Sequence, residues 1–357
     1  NKFKEYKGIY GMFIIIYGTS VMRSVIEEKT SRIIEIMKKY AFLILVAALL
    51  ISANLFSWGF FAHKRINRLA VFTLPKEMMG FYKSNINAIT EMAVGPDKRR
   101  YTDKEEAPRH YLDADHYGKS PFDSIPMRWK EAVAKYSEDT LNAYGTVPWR
   151  IQMRLAELTK AMRERDSAKI VFYSADLGHY ISDACVPLHS TENYDGQLSG
   201  QKGIHGFWES RLPELFANDY NFFVGKARYL DDPLKTSFDL VKGSFAAMDS
   251  VLIFEKELSA TFPADKKYSY EQKGKKNAQV YSYEFAKAYH DKLDGMVERR
   301  MRTAILMVGS YWYTAWVNAG QPNMKKLLNQ TQTKAEQAQV IAEENAYQNG
   351  KALGRVE

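Results

Sequence analysis

From position 58 onward the chain predicts an all-α fold, and three observations predict it. Apolar residues recur at three- and four-residue steps through five long segments, prolines separate those segments, and no clear alternating strand run is present. The segments are 76–94 (KEMMGFYKSNINAITEMAV), 128–145 (RWKEAVAKYSEDTLNAYG), 149–184 (ending in GHYISDA), 233–258 and 282–320. Pro108, Pro121, Pro126, Pro148, Pro187 and Pro213 punctuate them, each removing a backbone donor and fixing φ. The polar tail, 326–357, reads as a loosely attached helix or as disorder.

Composition bounds the function. With 357 residues, 46% of them hydrophobic, the chain can bury a large core in one or two domains. The formal charge is +8, but residues 1–57 hold 8 Lys/Arg against 4 Asp/Glu, which leaves 42 against 38 in 58–357. That excess of +4 is too small for a protein that coats nucleic acid. The single cysteine, Cys185, excludes an internal disulfide and reads as a small buried thiol.

Residues 37–57, MKKYAFLILVAALLISANLFS, have the layout of a secretory signal peptide: two lysines after a Met, an apolar run, then small and polar residues. Ser57 suits the exit; Leu55 departs from the small residue usual two positions before it. An uncleaved anchor over 40–56 is the alternative, since that run approaches spanning length. Residues 1–36 resemble a fragment of the permease subunits of ATP-binding-cassette exporters. They are expected to be a fusion or a misassembled frame, outside the functional part.

The chemistry concentrates in GHYISDACVPLH (178–189) and GIHGFWES (203–210). His179 and Asp183 are four apart, so a helix puts both on one face. Pro187 ends that helix, and His189 lies just past the break. His205 and Glu209 repeat the spacing on another helix start. Three of the seven histidines in the chain fall in this window. Imidazole and carboxylate are ligands that zinc accepts, and two such pairs with a histidine between them exceed one four-coordinate ion, which points to a multinuclear site. One H-x-x-x-D taken alone is more often an exposed pair or a cap. His116 and His290 read as surface or structural residues.

Upstream, WGFFAHKRIN (58–67) places His63 five residues after Trp58, and VGPDKRRYTDKEEAPRHYLDAD (94–115) places Asp97 thirteen residues before His110. These four segments, in this order, resemble the superfamily of zinc-dependent phospholipases C and single-strand-specific zinc nucleases, over most of 58–320. The resemblance implies a zinc-dependent phosphodiesterase domain at 58–325, multi-helical around a cleft holding three zinc ions. It implies one zinc on Asp97, His110, His179 and Asp183, and a second on His189, His205 and Glu209. The third would take His63, the bridging Asp183, and the α-amine and carbonyl of Trp58. That last role requires signal cleavage before Trp58 and an exported, periplasmic or extracellular enzyme. Asp97 would orient the attacking water and Arg100 would reach the phosphate.

The substrate is a phospholipid headgroup or single-stranded nucleic acid. Tyr111 and Asp113 sit where the nuclease branch stacks on a base and contacts its edge, although a tyrosine ring face suits a choline-type cation equally. Glu209 and the lone cysteine are closer to the phospholipase branch. Transient contact with a membrane surface is compatible with this, and no obligate protein partner is implied. The alternative from another class is a membrane-tethered, non-enzymatic binding protein, with 40–56 as its anchor.

Overall fold

The computed structural model describes residues 59–273, 276–327, 334–349 and 353. The permease-like stretch, the signal peptide and Trp58 therefore lie outside the described residues. Within them the periodic segments become helices: α1 (Phe60–Ala70), α2 (Lys76–Ser84), α3 (Ile86–Met92), α4 (Gly95–Arg99), α5 (Trp129–Tyr136), α6 (Glu138–Tyr144), α7 (Val147–Glu164), α8 (Ser167–Asp183), α9 (Pro233–Thr261), α10 (Tyr283–Lys292), α11 (Met296–Asn318) and α12 (Lys334–Asn349). The all-α expectation holds for the core.

Four apparently continuous segments are broken by turn chemistry. Segment 149–184 becomes a helical hairpin because Arg165 turns into the left-handed region (φ 59°) and the Asp166 side chain accepts from the Lys169 N–H at 3.1 Å. This is an N-cap that satisfies one of the open donors of α8. Segment 128–145 breaks at Ser137 (φ 69°), whose hydroxyl caps α6, and segment 282–320 breaks at Asp294 and Gly295. Asn85 separates α2 from α3.

The sequence reading found no strand, and here the structure corrects it. β1 (Tyr268–Lys273) and β2 (Lys276–Tyr281) pair antiparallel, with Tyr268 opposite Tyr281 and Lys273 opposite Lys276. The ribbon has no continuous apolar face to read, for Tyr268 and Tyr270 are exposed, and its attachment is local. Tyr281 stacks on Phe207 and Arg211 pairs with Glu271. Of the two readings of the tail, the helix is the one realised over Lys334–Asn349. There Glu344 pairs with Lys98, and Tyr347 packs on Phe60 and Tyr101. Among the described residues no helix is long and apolar enough to cross a membrane.

α8 is the axis of the molecule. It packs against α1, α3, α7 and α11, and 14 of its 17 residues are buried. Its polar groups are tied to its neighbours: Trp312 of α11 donates to the Ser174 carbonyl at 3.0 Å, and Tyr82 of α2 meets the Ser174 hydroxyl at 2.9 Å. α9 lies across the Pro187–Ser190 turn that follows.

The crossing of α1 over α8 depends on Gly178. A Cβ there would stand 2.0 Å from Asn67 Oδ1, and Asn67 is fully buried with its Nδ2 donating to the Ala175 carbonyl at 3.0 Å. This close approach brings His63, one turn before Asn67, onto His179, with ring centroids 4.0 Å apart and an interplanar angle of 18°. Gly178→Ala should therefore destabilise by about 1–3 kcal/mol, the usual range for overpacking. Adding Asn67→Ala should cost little more, because both changes act on the same contact. Denaturant midpoints of the two single variants and the double variant check this; an undiminished midpoint in Gly178→Ala contradicts it.

Candidate metal centre

Six short pieces of chain deliver the polar residues. His63 comes from α1, Asp97 from α4, His110 from just after the 3₁₀ turn Ala107–Arg109, and His179 and Asp183 from the end of α8. His189 lies in the 3₁₀ turn Pro187–Ser190, and His205 and Glu209 bracket the start of the turn Phe207–Arg211. That last turn is a π-turn rather than the α-helical start the spacing predicts. Pro213 supplies no N–H for the Glu209 carbonyl, so the α-helical bond there cannot form and the turn widens. The pair still converges, with His205 Nε2 3.1 Å from Glu209 Oε2.

The donors form overlapping groups. His110 Nδ1 and His179 Nε2 are 3.1 Å apart, and they stand 3.0 and 3.2 Å from Asp183 Oδ2. Asp97 Oδ1 lies 3.7 Å from His179 Nε2 and 3.8 Å from His110 Nδ1. Four ligands at about 2.0–2.1 Å around a tetrahedral zinc stand roughly 3.3–3.4 Å from one another, so these separations match such a shell. His63 Nε2 is 3.4 Å from the other Asp183 oxygen. In the second group, Glu209 Oε2 is 3.3 Å from His189 Nε2 as well as close to His205. The same residues form the compact triads His63–Asp97–His179, His110–His179–Asp183 and His189–His205–Glu209, all buried. Both Asp97 carboxylate oxygens are buried without a hydrogen bond, as expected of oxygens meant for a cation.

Backbone carbonyls aim the rings. Nδ1 of His179 faces the Ala93 carbonyl at 2.9 Å, Nδ1 of His189 the His110 carbonyl at 2.8 Å, and Nδ1 of His205 the Tyr194 carbonyl at 3.0 Å. A carbonyl only accepts, so each Nδ1 carries a proton, and Nε2 is the atom that faces the cluster and that a metal would take. His110 is reversed: Nδ1 points inward, and Nε2 lies 3.7 Å from Glu106 Oε1.

Glu106 is a residue the sequence reading missed, although it precedes His110 by the same four-residue step that flagged the other pairs. It is fully buried, takes a hydrogen bond from the Tyr180 hydroxyl, and is met by Arg109 Nη1 at 2.6 Å and Arg99 Nε at 3.5 Å. Arg99 in turn makes a two-pronged contact with Asp176 of α8, at 3.2 and 2.6 Å, and Arg154 joins from α7 at 3.0 Å. The fork latches α4 to α8 and so fixes Asp97 against His179.

Charge states follow from burial and neighbours. Burial lowers the His63 pKa to about 4, with the charge on His179 adding to the effect. For His110 burial acts downward too, but the carboxylates of Asp183 and Glu106 outweigh it and raise the pKa to about 9. Asp183 is pulled well below the ordinary carboxylate value: burial opposes this, and His179 and His189 overcome it. Burial pushes the Cys185 thiol up to about 11, and Cys185 belongs to none of the triads.

The remaining sequence candidates are placed as follows. Arg100 is 5% exposed and close enough for its charge to act on His110. Tyr111 is 4% exposed, and its hydroxyl donates to the Ala143 carbonyl. Asp113 is buried, with its N–H on the Tyr144 carbonyl. His116 stacks on Tyr144 and His290 meets the Tyr220 hydroxyl at 2.7 Å, both away from the triads.

An all-α scaffold carrying this imidazole–carboxylate set fits a zinc-dependent hydrolase. The chain belongs to the zinc-dependent phospholipase C family, whose model matches residues 62–270, more than half of its length. That range contains every described member of the three triads. No curated protein matches the chain.

The raised His110 pKa has a measurable consequence. In the metal-free protein His110 holds a proton at about pH 7.5, and zinc accepts only the neutral ring, so loading must release it. Calorimetric zinc titrations in buffers of different ionisation enthalpy should show net proton release, reduced in His110→Gln. Heats independent of the buffer contradict the assignment.

Proposed function

We propose that the chain is a phospholipase C-like phosphodiesterase that works with three zinc ions. The observation that carries this reading is the convergence of His110, His179 and Asp183 within 3.0–3.2 Å of one another, with Asp97 at 3.7–3.8 Å from the two rings. These four would hold one zinc, His189, His205 and Glu209 a second, and His63 with Asp183 would contribute to a third. The α-amine and carbonyl of Trp58, which lies outside the described residues, would complete that third site. In support, the N–H of Gly59, the residue after Trp58, donates to Ser210 Oγ at 3.0 Å, beside Glu209. The free amine requires 37–57 to be a cleaved signal peptide, so the enzyme is exported, and 1–36 take no part in it. The mature enzyme then consists of the zinc-dependent domain, 58–325, and the polar tail, 326–357.

Zinc in such a site acts as a Lewis acid and lowers the pKa of bound water to about 7. The protein's own residues do the rest. Asp97 orients the attacking water and holds its proton, and Arg100 draws the phosphodiester to the centre through its non-bridging oxygens. The buried surroundings of His63 and His179 exclude bulk water and strengthen each of these electrostatic contacts. The lipid substrate is preferred over single-stranded nucleic acid because Tyr111, the ring that would stack on a base, is enclosed. Tyr111 and Asp113 thus support the wall of the site from behind rather than gripping a base.

The mature chain starting at Trp58, assayed on phosphatidylcholine and on single-stranded DNA, should hydrolyse the lipid by preference; preference for DNA overturns the substrate assignment. Asp183→Asn should lose zinc from two sites and at least about 100-fold in turnover, since even residues that only support a ligand cost 10–100-fold. Near-normal zinc and turnover would refute the bridge. One alanine added before Trp58 should remove one zinc per chain, because an amide nitrogen has no lone pair to give. Equal zinc in both forms rules the amine out as a ligand.

A further inference from the structure

Beside the Tyr180 ring, on the face that Arg150 covers, lies a cavity of about 610 Å³. Its size falls within the usual range of small-molecule sites, about 300–1,000 Å³. Arg150, in the first turn of the 18-residue helix α7, lines it. The Arg150 side chain is 8% exposed, yet among the described residues its guanidinium makes no hydrogen bond and no ion pair, and Nε is buried without a partner. Its one described contact is the face of the Tyr180 ring, 5.1 Å away. Neighbouring buried arginines are treated differently: Arg99 and Arg154 both share Asp176. Glu105 and Glu138 also line the cavity, and neither forms an ion pair with Arg150.

A buried cation without a counter-ion is costly, and proteins normally pair it. The helix N-terminus beside it adds positive potential rather than relief. One part of the wall is apolar: Trp129 and Trp149 meet edge to face with centroids 5.3 Å apart, and Met153, largely exposed, lines the cavity with them. Trp149 has its N–H committed to the Met127 carbonyl at 2.7 Å, so only ring surface is left for a ligand.

We propose that this cavity is a binding site for a small anionic amphiphile, with an oxyanion head on Arg150 and an apolar body between the tryptophans and Met153. The cavity shares no residue with the three triads, and the proposal does not depend on the reading of the metal centre.

The test is calorimetric titration of the zinc-loaded protein with octyl sulfate, a weak zinc ligand that a phosphodiesterase does not cleave. Inorganic sulfate supplies the head alone and octanol the tail alone. Octyl sulfate should bind at one site per chain, more tightly than either. Arg150→Met should weaken octyl sulfate at least tenfold, with zinc content and lipid turnover unchanged. Its thermal midpoint should stay level or rise, because an unpaired buried charge has gone. Trp129→Ala, at a partly exposed position, should weaken octyl sulfate but leave sulfate alone, and it serves if Arg150→Met does not fold. Unaltered octyl sulfate binding in Arg150→Met, or octanol binding as tightly as octyl sulfate, overturns the proposal. A fall in midpoint with binding intact shows Arg150 to be structural and overturns it equally.

Discussion

A carboxylate buried at the wrong end of a helix governs this structure. Asp183 closes α8, where the backbone dipole already places negative charge, and it is fully buried. An ionised carboxylate in that position is tolerable only when cations or their equivalents surround it. The chain supplies His63, His110 and His179 around its two oxygens, at 3.0–3.4 Å. Protonated His110 compensates the group in part, whereas divalent ions among the same donors would compensate it fully. The constraint that complicates folding of the metal-free chain is therefore the one that gives the site its affinity for a metal.

The surrounding architecture holds that arrangement in place. Gly178 lets α1 come close enough for His63 to stack on His179, and the Arg99–Asp176–Arg154 fork ties α4 and α7 to the same helix. Glu106 orients His110 from behind while Tyr180 and two arginines satisfy it. The rings of His179, His189 and His205 are each set by a backbone carbonyl, so the positions of Ala93, His110 and Tyr194 matter through their main chain alone. Such contacts give the donors their direction before any ion arrives.

Much of this was legible in the sequence because the signals are local. Helical periodicity gave the α-class, and the i, i+4 pairs His179/Asp183 and His205/Glu209 announced one-sided polar faces on otherwise apolar helices. The triads join residues from those pairs to His63, Asp97, His110 and His189, which the family resemblance grouped with them. What stayed hidden depends on tertiary context. The break at Asp166 needed its cap to be weighed above an unbroken periodicity. The hairpin 268–281 carries aromatic and polar residues in no pattern that distinguishes a ribbon from a loop. Glu106 looked like one more charge in DKEEAPRH until folding buried it, and Arg150 looked like one more arginine of an amphipathic helix.

The central claim is that Asp97, His110, His179 and Asp183 surround one zinc ion. Anomalous diffraction from crystals of the zinc-loaded chain, recorded on both sides of the zinc absorption edge, tests it most directly. The account predicts a peak about 2.0–2.2 Å from His110 Nδ1, His179 Nε2 and one oxygen of each aspartate. Zinc absent from that point in a protein that otherwise folds as described, with His110 and His179 hydrogen-bonded to each other instead, would contradict it.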